Sequence, residues 1–203
     1  MAAARDARPE HFRARLGETL VDIRLNIAGR HNVRNALAAA ACTLALGVPA
    51  EAIARGLAAF EPVSGRLRRT HTAQGVLLID DTYNANPDSM RAAIDVLADQ
   101  PAPRLLVMGD MGETGAQAEA FHREVGEYAV SRAIEQVWAV GKDMKAAAQS
   151  GGVQHWETVE ALLAEHPQAP ADIASILVKG SRFMKMERVV RAWAEAASPQ
   201  GEH

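Results

Sequence analysis

The run Asp80-Asp81-Thr82-Tyr83-Asn84-Ala85-Asn86-Pro87-Asp88-Ser89-Met90 places acidic, phenolic and amide side chains directly after the apolar stretch Val76-Leu77-Leu78-Ile79. The apolar stretch reads as a buried strand. Pro87 fits the first turn of a helix whose apolar positions are Met90, Ile94 and Leu97. Ligands of open α/β sheets collect at such a strand-to-helix crevice. There a carboxylate can accept from hydroxyl groups, and amides can read the polar edge of a base or a peptide. The same residues also describe an Asx-rich turn in which Asp81 or Asn86 simply caps the helix.

Further clusters offer complementary chemistry. In Gly29-Arg30-His31-Asn32-Val33-Arg34-Asn35, Asn32 and Asn35 are spaced to share one side of a helical first turn. Free N–H groups at a helix start can meet an anion or a base edge; alternatively Asn32 is a cap and His31 a surface residue. Gly65-Arg66-Leu67-Arg68-Arg69 forms a cationic edge suited to phosphate oxygens. Arg66 is the better phosphate ligand, while Arg68 and Arg69 read as solvated charges on a strand edge. Val178-Lys179-Gly180-Ser181-Arg182 joins a strand to a helix, where Lys179 and Arg182 could hold a carboxylate and Ser181 could hydrogen-bond it. A capped helix with two exposed cations is the simpler alternative.

Gly109-Asp110-Met111-Gly112-Glu113-Thr114-Gly115 also follows a strand, but its glycines do not have G-x-G-x-x-G spacing. Asp110 and Glu113 would repel a diphosphate, which disfavours a nicotinamide-dependent enzyme. The acidic pair could bind an ammonium group or cap the next helix. His122 either faces the same crevice or is exposed. Asp81, Asp110 and Lys179 all end strands of one expected sheet, so their side chains are expected to converge on one edge.

The positioning elements follow from pattern. Strands are expected over 76–79, 104–108, 136–140, 153–156 and 175–178, and helices over 87–99, 116–132, 144–149, 158–165 and 181–196. This alternation implies right-handed crossovers and a Rossmann-like, mainly parallel α/β sheet. Upstream, 19–27 alternates like a half-buried strand with few partners nearby, followed by helices over 32–46 and 50–60. Glu61-Pro62-Val63-Ser64-Gly65 is turn-rich, so a domain boundary is placed there.

Composition narrows the function classes. At 203 residues, 48% hydrophobic and 23% charged, the chain has room for one large or two small domains. A net charge of -3 provides no general attraction for nucleic acid. Cys42 is the single cysteine, which excludes an internal disulfide and points to a reducing compartment. No apolar run approaches the roughly 20 residues of a membrane span. The opening ten residues lack a signal-peptide core, so a cytoplasmic protein without membrane insertion is expected.

The quoted motifs, in this order, resemble the Mur ligase family, in its D-alanyl-D-alanine-adding branch. Tyr83-Asn84-Ala85-Asn86-Pro87 and Lys179-Gly180-Ser181-Arg182 carry the distinction from sister branches. The resemblance implies a three-domain enzyme of cell-wall precursor synthesis, using ATP and Mg2+. Such an enzyme phosphorylates the carboxylate of UDP-N-acetylmuramoyl-tripeptide, and the amine of D-alanyl-D-alanine then attacks the acyl phosphate. By resemblance, Asn32, Asn35, Arg66 and Asp81 would bind ATP, and Tyr83, Asn84, Asn86, Lys179, Ser181 and Arg182 would line the acceptor site. Residues 1–61 would be a strand-plus-helices remnant of the central ATPase domain, and 62–203 the carboxy-terminal domain of a monomer.

The family's P-loop, G-x-x-x-x-G-K-[ST], is absent from the sequence, as are its magnesium ligands. No residue of the chain is therefore assigned as catalytic or metal-binding, and the chain alone is expected to be inactive. The competing expectation is a stand-alone nucleotide- or dipeptide-binding module without catalysis. A small dehydrogenase or phosphatase is disfavoured by the missing dinucleotide fingerprint and nucleophile–base pair.

Overall fold

The computed structural model describes residues 10–72, 74–149 and 151–195. The chain divides into two units, residues 1–63 and 64–203.

In the first unit, β1 (Glu10–Leu16) and β2 (Thr19–Leu25) form an antiparallel hairpin, followed by α1 (Arg30–Ala45) and α2 (Ala50–Ala58). Strand β1 supplies the partner that the pattern around 19–27 lacks. Its alternation is plain once paired: Phe12, Ala14 and Leu16 turn inward while His11, Arg13 and Arg15 are exposed. Ile23, Leu25, Ala36, Ala40 and Ile53 pack with them into a small core. Helix α1 buries only Ala36 and Ala40, and its Leu37 is exposed.

The second unit is built on the expected mainly parallel α/β sheet. Its strands are β3 (Arg68–His71), β4 (Leu77–Asp81), β5 (Arg104–Gly109), β6 (Gln136–Val140), β7 (Val153–Trp156) and β8 (Ser175–Lys179). They lie in the order β3-β4-β8-β5-β6-β7, with β3 the antiparallel edge. Helices α3 (Pro87–Ala98), α4 (Ala118–Ser131), α5 (Lys145–Ala148), α6 (Val159–Glu165) and α7 (Glu187–Glu195) connect or follow the parallel strands. Every residue of β8 is buried, as a strand covered on both faces must be. Last in sequence, β8 inserts between β4 and β5, which sets Asp81 opposite Lys179 and Met108 opposite Lys179. The loops leaving β4, β5 and β8 therefore lie side by side.

Three of the expected elements depart from their bounds for physical reasons. Strands β4 and β8 run on through Asp81 and Lys179, because these polar residues find partners at the sheet end. The helix expected over 181–196 is interrupted by a short 3-10 turn, Arg182–Met184, and by Lys185 in the left-handed region at φ 52°. The interruption buries Met186, whose Cγ would lie 2.6 Å from a Cβ on Gly180 and 2.9 Å from one on Gly109. Only glycines permit this approach of the two loops.

Arg104, at the start of β5, grips Glu135 before β6. Its Nε and Nη2 donate to the carboxylate at 3.0 and 2.9 Å, and its backbone N–H adds a third bond at 2.9 Å. The Arg104 hydrogen bond holds the Glu135 carboxyl down from 4.5 to about 2. Because the folded value lies below the unfolded one, this stabilisation is full above about 4.5 and is lost as pH falls through about 2. Glu135→Gln is expected to flatten that part of the acid-unfolding curve, followed by circular dichroism between these limits. The effect is modest because Glu135 is solvent-screened.

Candidate functional site

Strand β4 ends in two carboxylates with opposite duties, since neighbouring strand residues face opposite ways. Asp80 is buried and holds the local backbone. Its Oδ2 accepts from the Gly65 N–H at 2.8 Å and the Ser64 hydroxyl at 3.1 Å. Its Oδ1 accepts from the Thr82 N–H at 3.2 Å and the Thr82 hydroxyl at 2.6 Å. Asp81 faces β8. Its Oδ2 accepts from Lys179 Nζ at 2.6 Å, and its Oδ1 from the Leu67 N–H at 3.2 Å. Lys179 also donates to the Asn84 carbonyl at 2.9 Å. The pair is well shielded, with side chains 4% exposed for Lys179 and 15% for Asp81. Two of the three ammonium donors are thus used internally, leaving one for a ligand.

Gly65 sits at φ 79°, and a Cβ there would approach the Tyr83 nitrogen to 3.0 Å. The close approach lets the Tyr83 N–H donate to the Gly65 carbonyl at 3.0 Å. Arg66 then lies over the exposed Tyr83 ring, 4.2 Å from its centroid.

Ser181 ties the loops after β4, β5 and β8 together. Its hydroxyl accepts from the Gly112 N–H at 2.6 Å and donates to the Ala85 carbonyl at 3.2 Å, while its own N–H donates to the Asp110 carbonyl at 3.0 Å. Arg182 projects outward, its side chain 70% exposed and its guanidinium 3.7 Å from Glu187.

The structure brings Arg66, Asp81, Tyr83, Asn84, Lys179 and Ser181 together at the ends of β4 and β8, with Arg182 beside them. Asn84 contributes its carbonyl, and its side-chain Oδ1 accepts from the Ala85 N–H at 2.9 Å. Asn86 serves as a cap: its Oδ1 accepts from the Ser89 N–H at 2.8 Å, and the Ser89 hydroxyl accepts from the Asn86 N–H at 3.0 Å. The first unit places Asn32 and Asn35 on one side of the α1 start, where the Asn35 amide reaches Asn32 Oδ1 at 3.5 Å. Asn32 is no N-cap, because its amide donates to the Ala28 carbonyl at 2.7 Å and Gly29 takes the cap position.

Asp110 does not join the Asp81–Lys179 pair as expected. Its carboxylate turns towards the loop after β6, accepting from the Met144 N–H at 2.8 Å, and a Cβ on Gly141 would lie 2.4 Å from it. Burial pushes its carboxyl up, against the hydrogen bonds from the Met144 and Asp143 backbone. His122 is wholly buried rather than exposed. Asp80 and Gly112 are structural parts of the site to which the sequence alone assigns no role. The adjacent acidic pair at a strand end was the available signal for Asp80. Nothing local marked Gly112, whose importance depends on its contact with Ser181.

A doubly covered sheet, with a shielded lysine–aspartate pair and glycine-shaped loops where adjacent strands end, defines a mainly parallel α/β domain. Residues 65–182 match the family model described as Mur ligase, glutamate ligase domain, and the chain belongs to the Mur ligase family. It corresponds to a carboxy-terminal, MurF-like portion. The UDP-N-acetylmuramoyl-tripeptide--D-alanyl-D-alanine ligase of Escherichia coli K12 is 47% identical over 178 residues, covering 86% of this chain and 39% of that protein. MurF from Acinetobacter baumannii superposes with a TM-score of 0.82 at 36% identity, covering 93% of this chain and 42% of that one. MurF from Thermotoga maritima, solved in complex with ADP, superposes with a TM-score of 0.74 at 25% identity, covering 89% of this chain and 42% of that one. The chain thus spans about two-fifths of the length of these relatives.

Among the described residues, no group of three or more His, Cys, Asp or Glu side chains is placed to hold a metal ion. No described helix is long and apolar enough to cross a membrane.

Proposed function

We propose that this chain forms the carboxy-terminal part of a cytoplasmic, monomeric ATP-dependent ligase that adds D-alanyl-D-alanine to UDP-N-acetylmuramoyl-tripeptide. Residues 1–61 are then the end of the central domain and 62–203 the carboxy-terminal domain. The observation that carries this reading is the Lys179–Asp81 pair at 2.6 Å, flanked by Ser181 and the outward-facing Arg182. A shielded cation beside an exposed guanidinium suits a zwitterionic dipeptide: Arg182 can pair with its carboxylate. Lys179 can use its remaining donor on the oxygen that gains charge when the dipeptide nitrogen attacks the acyl carbon. That attack forms the amide bond and releases phosphate and a proton.

Tyr83 and Asn84 line the acceptor site, while Asn86 acts there by fixing the loop to α3. Arg66 suits the ATP phosphates, Asp81 the ribose hydroxyls, and the Asn32 and Asn35 amides the base. No described residue is assigned to magnesium, and no step through a metal is derived from this chain. Without a P-loop lysine, the chain has no means of placing the transferred phosphoryl group.

The isolated chain is therefore expected to bind weakly and turn nothing over. In 15N–1H NMR, D-alanyl-D-alanine should shift the amides of residues 179–183. A phosphate-release assay with ATP, UDP-N-acetylmuramoyl-tripeptide and the dipeptide should remain at background. Turnover would refute the inactivity, and unshifted amides would refute the acceptor site.

A further inference from the structure

We propose that His122 is a positioning residue of the acceptor site, holding the loop after β5 in the orientation that Ser181 requires. The inference rests on the reading that Lys179, Ser181 and Arg182 receive the dipeptide. His122 lies on α4 and is fully buried. Its Nδ1 is 2.6 Å from the Ala118 carbonyl, which can only accept, so Nδ1 carries the proton. Its Nε2 therefore presents a lone pair, and the Met111 N–H donates to it at 2.9 Å. The two partners assign the tautomer.

The bonded group is a specific peptide plane. The Asp110–Met111 peptide offers its N–H to His122 and its C=O to the Ser181 N–H at 3.0 Å. Because the peptide is planar, both ends turn together. The following peptide offers its Gly112 N–H to the Ser181 hydroxyl at 2.6 Å, and that hydroxyl donates onward to Ala85 at 3.2 Å. His122 thus fixes from beneath the first peptide of a relay ending in the Tyr83–Asn86 loop. The relay runs close to its neighbours at Gly112, where a Cβ would lie 3.3 Å from Phe183 and 3.5 Å from the Ser181 oxygen.

The chemistry of position 122 separates positioning from packing. In His122→Gln, the side-chain oxygen can replace Nε2 as the acceptor for Met111, while the amide N–H donates to Ala118. His122→Leu fills space and leaves the buried Met111 N–H without an acceptor. The test uses the 15N-labelled 203-residue chain. In the unsubstituted protein, a trans-hydrogen-bond 15N–15N coupling should join the Met111 amide to His122 Nε2. His122→Leu should speed exchange of the Met111 and Gly112 amides and weaken D-alanyl-D-alanine binding about fivefold, the effect of one lost hydrogen bond. His122→Gln should stay within about twofold on both measures.

Absence of the coupling in the unsubstituted protein would overturn the proposal, even if the leucine variant failed to fold. So would unchanged Met111 and Gly112 exchange in a folded His122→Leu, or failure of glutamine to rescue. If the coupling and exchange effects appear but the unsubstituted chain shows no dipeptide-induced shifts, the acceptor-site reading falls and the grip on the loop stands.

Discussion

Replacing Lys179 with methionine should cost the second unit about 3 kcal/mol or more of folding stability, a large effect for a substitution that preserves chain length and apolar volume. The cost comes from what remains. Asp81 would keep its charge in a site only 15% open to water and lose the ammonium at 2.6 Å that offsets it. The Asn84 carbonyl would lose its donor at the same time. Asp81→Asn makes the mirror-image defect, stranding the lysine while keeping an acceptor for the Leu67 N–H.

The double variant should be less harmful than the two single losses added together, by roughly 1 to 3 kcal/mol, because neither charge is left alone. The three tryptophans, Trp138, Trp156 and Trp193, all lie in the second unit, two of them packed against Trp138. Their fluorescence during urea unfolding therefore reports on that unit. Single losses that add to within about 0.5 kcal/mol would show that the two groups are not energetically coupled.

That Asp81 and Lys179 end strands of one sheet was legible in sequence, whereas their pairing with each other emerges only in the fold. A lysine and an aspartate that finish buried strands must find charge partners, and pairing at the ends of neighbouring parallel strands is an economical solution. The order of the strands was less accessible: β8 lies between β4 and β5 through a long-range return that no local pattern encodes. That placement makes Asp81 and Lys179 neighbours and sends Asp110 to a different partner, the Met144 N–H. Strand β1 is a short alternation of Phe12, Ala14 and Leu16 with His11, Arg13 and Arg15, and it reads as a half-buried strand only once β2 supplies the other half of the hairpin. Asn86 was ambiguous for the opposite reason: an amide before a proline-led helix suits both a ligand and a cap, and the cap won by a local geometry that any such sequence could adopt. His122 carries a structural duty that depends on a backbone N–H, a group identical in every non-proline residue and therefore invisible to side-chain pattern.

Substitution of Asp80 should damage the protein almost as severely, through hydrogen bonding rather than charge pairing. One buried carboxylate accepts four bonds, from Ser64, from Gly65 and twice from Thr82. In Asp80→Ala, the exposed Ser64 hydroxyl can turn to water, but the Gly65 and Thr82 N–H groups are buried and lose their acceptors. Each orphaned donor costs about 1 to 3 kcal/mol, so a total near 3 kcal/mol is expected. Asp80→Asn retains the shape but turns one acceptor into a donor that faces other donors, and it should recover little of the loss. Thr82→Val removes a single hydroxyl bond and should cost only about 1 kcal/mol.

The consequence reaches the candidate phosphate ligand, because the Gly65 backbone that Asp80 holds leads directly into Arg66 and its stack on Tyr83. Amide exchange at Gly65 should therefore accelerate in Asp80→Asn under conditions where the sheet itself remains protected. If Asp80→Asn unfolds in urea within about 0.5 kcal/mol of the unsubstituted protein, as a typical surface change does, the carboxylate is not the anchor of this turn.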